Sequence, residues 1–221
     1  ITDLVFIIGP RINAAGRIAH GSEAVTLLVE DDYDIALEKT KKVQQNNTDR
    51  KSLDKDITEE ALALIDNNEI LIQKKSTVLY QAHWHKGVIG IVASRLIEKY
   101  HRPTIVLTAS NGKGVGSGRS VPGFDLHDAI DACSEHLVQF GGHKYAAGLT
   151  IEIDKINDFI EAFDKVVSER ILDEQLIPQI EIDAEIELTD INEKFYNIVE
   201  QMAPFGPGNM RPNFVTKDVY D

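Results

Sequence analysis

The sequence predicts an α/β domain, a mixed sheet flanked by helices, preceded by one long helix that links it to something else. Three observations carry this expectation. From Asp34 to Asn67 the chain has neither glycine nor proline, so nothing in it breaks a helix. After Thr77, β-rich runs alternate with segments whose apolar residues recur every three or four positions. More than half of the 15 glycines fall between Gly112 and Gly148, beside serine, arginine, histidine and lysine, which is the composition of a ligand site.

The elements follow in order. GPRINAAGR (9–17) sets Arg11, Asn13 and Arg17 around the small residues Ala14, Ala15 and Gly16, which predicts tight packing with the guanidinium groups at a rim. Ser22 is expected to cap a helix with Val25, Leu28 and Val29 inward. The glycine-free segment carries a stripe of Leu53, Ile57, Ala61, Leu64 and Ile65 behind the polar KVQQNNTDRKSLDKD. It reads as a partly exposed helix of roughly 30 residues, about 45 Å long, of the kind that bridges domains.

Thr77–Ala82 and Thr104–Thr108 then read as strands around a helix whose inner face is Val88, Ile91, Val92, Leu96 and Ile97. The junction His83-Trp84-His85-Lys86-Gly87 falls where a strand feeds a helix N-terminus, a place suited to anions. His85 is a candidate ligand-binding residue there, with a plain surface histidine as the alternative, and Trp84 also reads as core. Leu149–Ile153 reads as a strand. Ile156–Ile171 is expected as a helix with Ile156, Phe159, Ile160, Phe163 and Val167 inward, Gln179–Leu188 as an alternating strand, and Ile191–Met202 as a helix. MAPFGPGNMRPNF, with three prolines and two glycines, interrupts the pattern and marks a domain boundary.

Within the glycine-rich stretch, Gly112, Gly114, Gly116 and Gly118 alternate with Lys113, Val115, Ser117 and Arg119. In a strand the glycines share one face, expected as bare backbone, and Ser117 and Arg119 share the other, two residues apart and able to grip one phosphate. The alternative is a glycine-rich hairpin whose arginine pairs with a carboxylate. GGHKYAAG sets His143 after Gly141 and Gly142 and before Lys144. Asp125, His127, Asp128 and Asp131 raise the question of a metal cluster. Asp125 instead reads as the cap of a helix with Leu126, Ala129, Ile130, Cys133 and Leu137 inward, leaving those charges in solvent.

The chain of 221 residues, 43% hydrophobic, is long enough for one large or two small globular domains. No run of apolar residues is long enough to span a bilayer and the start lacks a basic signal-peptide region, so a cytoplasmic protein is expected. The single cysteine excludes an internal disulfide and argues against a cysteine-based zinc site. Beginning at Ile1, the chain reads as a piece of something longer.

The formal net charge of −13 argues against a polyanion partner, but its distribution argues for one. Between Ile72 and Pro122 stand eight Lys or Arg (Lys74, Lys75, Lys86, Arg95, Lys99, Arg102, Lys113, Arg119) against one acid, Glu98, whereas 150–200 holds fifteen acids against four bases. One basic surface on an acidic body is the expectation; scattered helix charges are the alternative.

Five segments in register, GPRINAAGR, HWHKGVIGIVASRLIEKYHRPTIVL, GSGRSVPGFDLHDAI, GGHKYAAG and APFGPGNMRPNF, resemble the RecJ family of bacterial single-stranded-DNA-specific exonucleases, within the DHH phosphoesterase superfamily. The resemblance runs along nearly the whole chain. It implies a linker with a long helix over 1–76, a DHH-associated substrate-binding domain over 77–205, and the start of an OB-like domain over 206–221. It implies a 5′–3′ exonuclease of DNA repair and recombination, working on single-stranded DNA. Its manganese or magnesium ions would be held by a DHH domain whose motifs do not occur here, so that this portion binds no metal and is inactive alone. By likeness, Ser117 and Arg119 match residues that hold the DNA 5′ phosphate. His143 faces the scissile phosphate, Gly141, Gly142 and Lys144 accompany it, and Arg11, Asn13 and Arg17 match a linker motif at the cleft. GNMRP departs from the more usual GNPEP. Two other classes remain open: a DHH phosphodiesterase acting on oligoribonucleotides or cyclic dinucleotides, and a non-catalytic nucleic-acid-binding module.

Overall fold

A computed structural model describes residues 3–219. They form two compact units, one up to Ile177 and one from Pro178 onward. In the first, a π-helical turn at Leu4–Ile8 leads into α1 (Gly9–Ile18), with Pro10 in its first turn, where proline's missing N–H is harmless. Then come α2 (Ser22–Leu28), α3 (Tyr33–Asp66) and α4 (Glu69–Gln73). The 34-residue α3 is the expected long helix, capped by Asp32, whose side chain accepts from the Ile35 N–H.

A five-stranded sheet follows: β1 (Thr77–Tyr80), β2 (Thr104–Ser110), β3 (Lys113–Arg119), β4 (Leu137–His143) and β5 (Ala146–Ile151), in the order β1-β2-β3-β5-β4. β1 and β2 are parallel, as the crossover through α5 (Ile89–Tyr100) requires, and the other pairs are antiparallel. Asn111 and Gly112, both at positive φ, turn β2 into β3, the backbone a two-residue hairpin demands. The mixed α/β architecture and the long helix are as the sequence predicts.

Each face of the sheet has its own core. On one, Ile105, Leu107, Leu149 and Ile151 pack with α6 (Leu126–Asp131) and α7 (Ile156–Arg170), including the stacked Phe159–Phe163 pair. On the other, Leu79 and Val106 pack against Val88, Val92 and Leu96, and beyond them against Ile57, Ala61 and Ile65 of α3. Each fully buried Leu, Ile or Phe contributes about 1.5–3 kcal/mol. The long helix is therefore the outer layer of this domain at its C-terminal end.

Local expectations differ in four places. The helix capped by Asp125 ends at Asp131, so Leu137 opens β4 and does not belong to that helix's inner face. α2 buries Ala24 but leaves Val25, Leu28 and Val29 exposed. It is anchored to α3 by polar contacts of Glu23 with Lys42 and Asn46 instead. The helix after β1 starts at Ile89, because Trp84 turns into the core and donates its Nε1–H to Glu60 of α3 at 2.9 Å. Gln179–Leu188 holds only the two-residue β6 (Ala184–Glu185), which pairs in parallel with β7 (Phe214–Val215). The second unit thus begins at Pro178, before the Gly206 start expected from the Pro/Gly-rich segment, which is a turn inside it. Phe195 of α8 (Glu193–Gln201) packs on Phe214 at 5.1 Å.

Candidate functional site

β3 is the centre of the site, and its glycines do the opposite of what the alternation suggests. A Cβ on Gly114, Gly116 or Gly118 would come within 2.8 Å of Ile151, 2.7 Å of Leu107 and 2.9 Å of Leu126 respectively. That face is filled by core side chains, so these glycines make room for the interior and offer no bare backbone to a ligand. Val115, Ser117 and Arg119 lie on the opposite face, toward α5.

There Arg119 donates from Nη1 to Ser117 Oγ at 3.1 Å and to its neighbour's carbonyl, Gly118 O, at 2.8 Å. Among the described residues it forms no salt bridge, which sets aside the carboxylate-paired hairpin. Helix α5 comes close because Gly90 has no side chain: a Cβ would sit 2.8 Å from Ser117 Oγ and 3.1 Å from Arg119 Nη2. The same surface receives Arg17 from α1, whose Nη1 donates to Gly87 O at 3.2 Å. Gly87 permits that docking, since a Cβ there would lie 2.1 Å from Arg17 O. Arg17, Lys86, Asn111, Ser117 and Arg119 surround a hollow of about 400 Å³ whose described lining contains three cations and no acid. Burial, and then the Arg17 charge, pull the Arg119 guanidinium below its ordinary pKa. A bound anion would relieve that like-charge contact.

Strand register places the remaining candidates. Arg119 pairs with Ala146, which pairs with His143; Ser117 pairs with Gly148, which pairs with Gly141. Partners in a row share a face, so His143 stands on the Arg119 face, two strand spacings or about 10 Å away. α5 lies chiefly over β2 and β3, its inner face also reaching Leu79 of β1. The same face of β5 and β4 is open, with Gly141, His143 and Gly148 exposed, and a shallow groove lined by Gln139, Gly141, Gly148 and Thr150 adjoins the hollow through Val115 and Gly116.

The glycines here divide sharply. Gly142, at φ +144°, is required by the fold: a Cβ would lie 2.3 Å from Ala146 O. Gly141 has nothing within 4 Å of a Cβ, Gly148 only a backbone oxygen at 3.8 Å, and neither has a positive φ. The protein's own packing does not call for glycine at these two positions. The hairpin tip is fixed by bonds from Leu126 N–H to Lys144 O and from Ser120 N–H to Tyr145 O, while the Lys144 ammonium is exposed over the Tyr145 ring.

Other candidates lie apart from the hollow. His85 Nδ1 accepts from the Gly87 N–H at 3.1 Å and so props the turn that meets Arg17. Arg11 is engaged by Gln44 and Ile7 O on the side of α3, and Asn13 is exposed on α1. The single basic surface expected from the distribution of charge is also corrected, because most of those bases are paired. Lys74, Lys75, Arg95, Lys99 and Lys113 pair with Asp164, Asp173, Asp54, Asp66 and Glu152, and Arg102 is buried against carbonyls. Of those eight bases only Lys86 and Arg119 line the hollow. Lys86 and Gly87 lie in the junction that the sequence marks as suited to anions, though His85 is the residue singled out there; Gly90 and Asn111 are the ones that sequence reasoning missed, with the Asn-Gly turn signal as the pointer to Asn111. Asp125 accepts from the Asp128 N–H as a helix cap, and among the described residues no three His, Cys, Asp or Glu cluster as metal ligands.

Residues 73–169 match the DHHA1 domain and residues 182–220 the RecJ OB domain. The chain is 32% identical over 215 residues to the single-stranded-DNA-specific exonuclease RecJ of Bacillus subtilis and 34% identical over 221 residues to that of Haemophilus influenzae. In both comparisons 96% of this chain is covered, but only 27% and 38% of the relative. The chain thus spans about a quarter to two fifths of their length. Among solved structures it is similar to RecJ of Thermus thermophilus in complex with Mn2+, with a TM-score of 0.86 and 26% identity over 97% of this chain and 31% of that one. The Mg2+ complex of the same protein matches with a TM-score of 0.84 at 25% identity, over 96% of this chain and 32% of that one.

Proposed function

We propose that this chain, which carries a DHHA1 domain followed by a RecJ OB domain, is the strand-holding portion of a cytoplasmic, RecJ-type exonuclease of DNA repair and recombination that digests single-stranded DNA from its 5′ end. The hollow at Arg17, Lys86, Ser117 and Arg119 seats the terminal phosphate, with Arg119 as a charge-assisted donor and Ser117 beside it. The sugar and base of that nucleotide lie on the bare backbone of Gly148 and Gly141. His143, about 10 Å along the same row, faces the next phosphate, where the strand is cut. Lys144 adds charge at the hairpin tip, Gly142 shapes it, and Arg11, Asn13 and His85 support the linker side.

The observation that carries this reading is the pair of glycines, Gly141 and Gly148, whose missing side chains leave a flat floor open to solvent. The described residues offer no ligand cluster for the manganese or magnesium ions of the similar structures. The part proposed for this chain is therefore to bind and orient the strand, while hydrolysis with those ions belongs to a DHH domain outside it. Orientation of this kind lowers the entropic part of the barrier before any bond is broken.

The test uses the full-length protein. Arg119→Ala should cost about 1–3 kcal/mol in binding of 5′-phosphorylated single strands, with a smaller loss for strands ending in a hydroxyl. Equal affinity of wild type and variant for the phosphorylated strand would remove Arg119 from the site. Comparing cleavage of long single-stranded DNA with that of dinucleotides separates this reading from a small-substrate phosphodiesterase.

A further inference from the structure

We infer that the cleft between α3 and α5, which shares no lining residue with the hollow or its groove, is a second anion site that takes a phosphate group. It is lined by Arg50, Lys51, Asp54, Lys55, Thr58 and Glu59 of α3 and by Arg95 of α5, around a cavity of about 380 Å³. Four cations face two acids there. The buried acid is already committed: Arg95 donates from Nε to Asp54 Oδ1 at 2.8 Å and from Nη2 to Oδ2 at 2.7 Å, and Arg50 Nη1 stands 3.5 Å from the same Oδ2. Two guanidinium groups thus more than neutralise one carboxylate. Glu59 is exposed and only 3.8 Å from Lys55, a weak surface contact.

Two polar atoms of this lining are buried without a hydrogen-bond partner among the described residues, Arg50 Nε and Thr58 Oγ1. A buried polar group left unpaired costs free energy, and such groups are uncommon in native proteins. Arg50 is held by its other nitrogens, Nη1 toward Asp54 and Nη2 to Asn47 Oδ1 at 3.4 Å. An oxyanion entering the cleft would meet Lys51 and Lys55 at the mouth, and rotation of the Arg50 and Thr58 side chains would turn the enclosed Nε–H and hydroxyl toward it without displacing Asp54. Positive surplus, unpaired donors and room for a tetrahedral anion point to phosphate chemistry. That phosphate comes either from the backbone of a polynucleotide strand or from a small free phosphate.

Two measurements on the full-length protein separate these sources. The first compares wild type with Lys51→Gln/Lys55→Gln, which alters exposed side chains only and should melt at the wild-type temperature. If a strand crosses the cleft, the double variant binds a long single strand more weakly, and the slope of log affinity against log salt falls by about 0.7 for each phosphate it no longer neutralises. Binding of a tetranucleotide confined to the hollow stays unchanged. The second measurement follows the Nε–H resonance of Arg50 in protein labelled with 15N-arginine during titration with pyrophosphate, using Arg50→Lys to assign the signal. A saturable shift with an unaltered strand slope assigns the cleft to small phosphates. An Arg50 signal indifferent to pyrophosphate, together with unchanged affinity and slope for the long strand, overturns the inference.

Discussion

The two faces of the five-stranded sheet use glycine for opposite ends. On the α6–α7 face, Gly114, Gly116 and Gly118 are filled over by Ile151, Leu107 and Leu126, and what looks like bare backbone in the sequence is closed core. On the α5 face, a Cβ on Gly141 would meet nothing within 4 Å and one on Gly148 only a backbone oxygen at 3.8 Å. Glycine in a strand costs stability in either setting. On the first face the cost is offset by interior packing, and on the second nothing in the fold offsets it. More clearly than composition does, that difference separates glycines that the packing demands from glycines that it does not.

The contrast can be broken by substitution. The largest loss is expected for Gly142→Ala, where a positive φ and backbone atoms at 2.3 Å act together; about 3 kcal/mol is the expected cost in chemical denaturation. Gly116→Val should cost about 1–3 kcal/mol by overpacking against Leu107 and Leu149, and a stable, active Gly116→Val would show that face to be looser than described.

A smaller effect is expected at the covered half of the α5 face, where Glu60 ties α3 to Trp84. The Trp84 N–H, opposed by burial and helped by His83, holds the Glu60 carboxyl below its ordinary pKa of 4.5. A carboxyl lowered on folding stabilises above its unfolded value, and that contribution disappears as pH falls through the folded one. The fluorescence of the single tryptophan should therefore report loosening in acid below about pH 4.5, and Glu60→Gln should flatten that limb. The smallest effect on stability belongs to Gly141→Ala and Gly148→Ala, within about 0.5 kcal/mol of wild type, combined with weakened strand binding. Loss of stability without loss of binding would return these two glycines to the packing class.

The layered fold was legible because its elements are long and periodic: α3 has no breaker, and α7 shows its buried Ile156, Phe159, Phe163 and Val167 at helical spacing. The site was legible in part. Ser117, Arg119 and His143 could be picked out by their glycine neighbours, and alternation places Ser117 and Arg119 on one face. The closed state of the opposite face depends on Leu107 and Leu126, which no local pattern ties to β3. The packing roles of Gly87 and Gly90 escaped for the same reason, since Arg17 on the one hand and Ser117 and Arg119 on the other are distant from them along the chain. The basic-surface expectation misled because charge counts along a chain do not show partners across it, and Asp54, Asp164 and Asp173 neutralise residues far from themselves in sequence.

Arg17 reaches the hollow only because α1 is clasped at Gly87, through its own Nη1 and through a backbone approach that no other residue type would allow. One of the three positive charges is thus on loan from α1, and the hollow holds it only while α1 is seated. By thermodynamic linkage, whatever anion occupies the hollow must tighten that clasp to the same degree that the clasp tightens the anion's hold. A strand end would then act as a fastener between α1 and the sheet domain, and protection of residues 9–18 from protease should rise as strand is added.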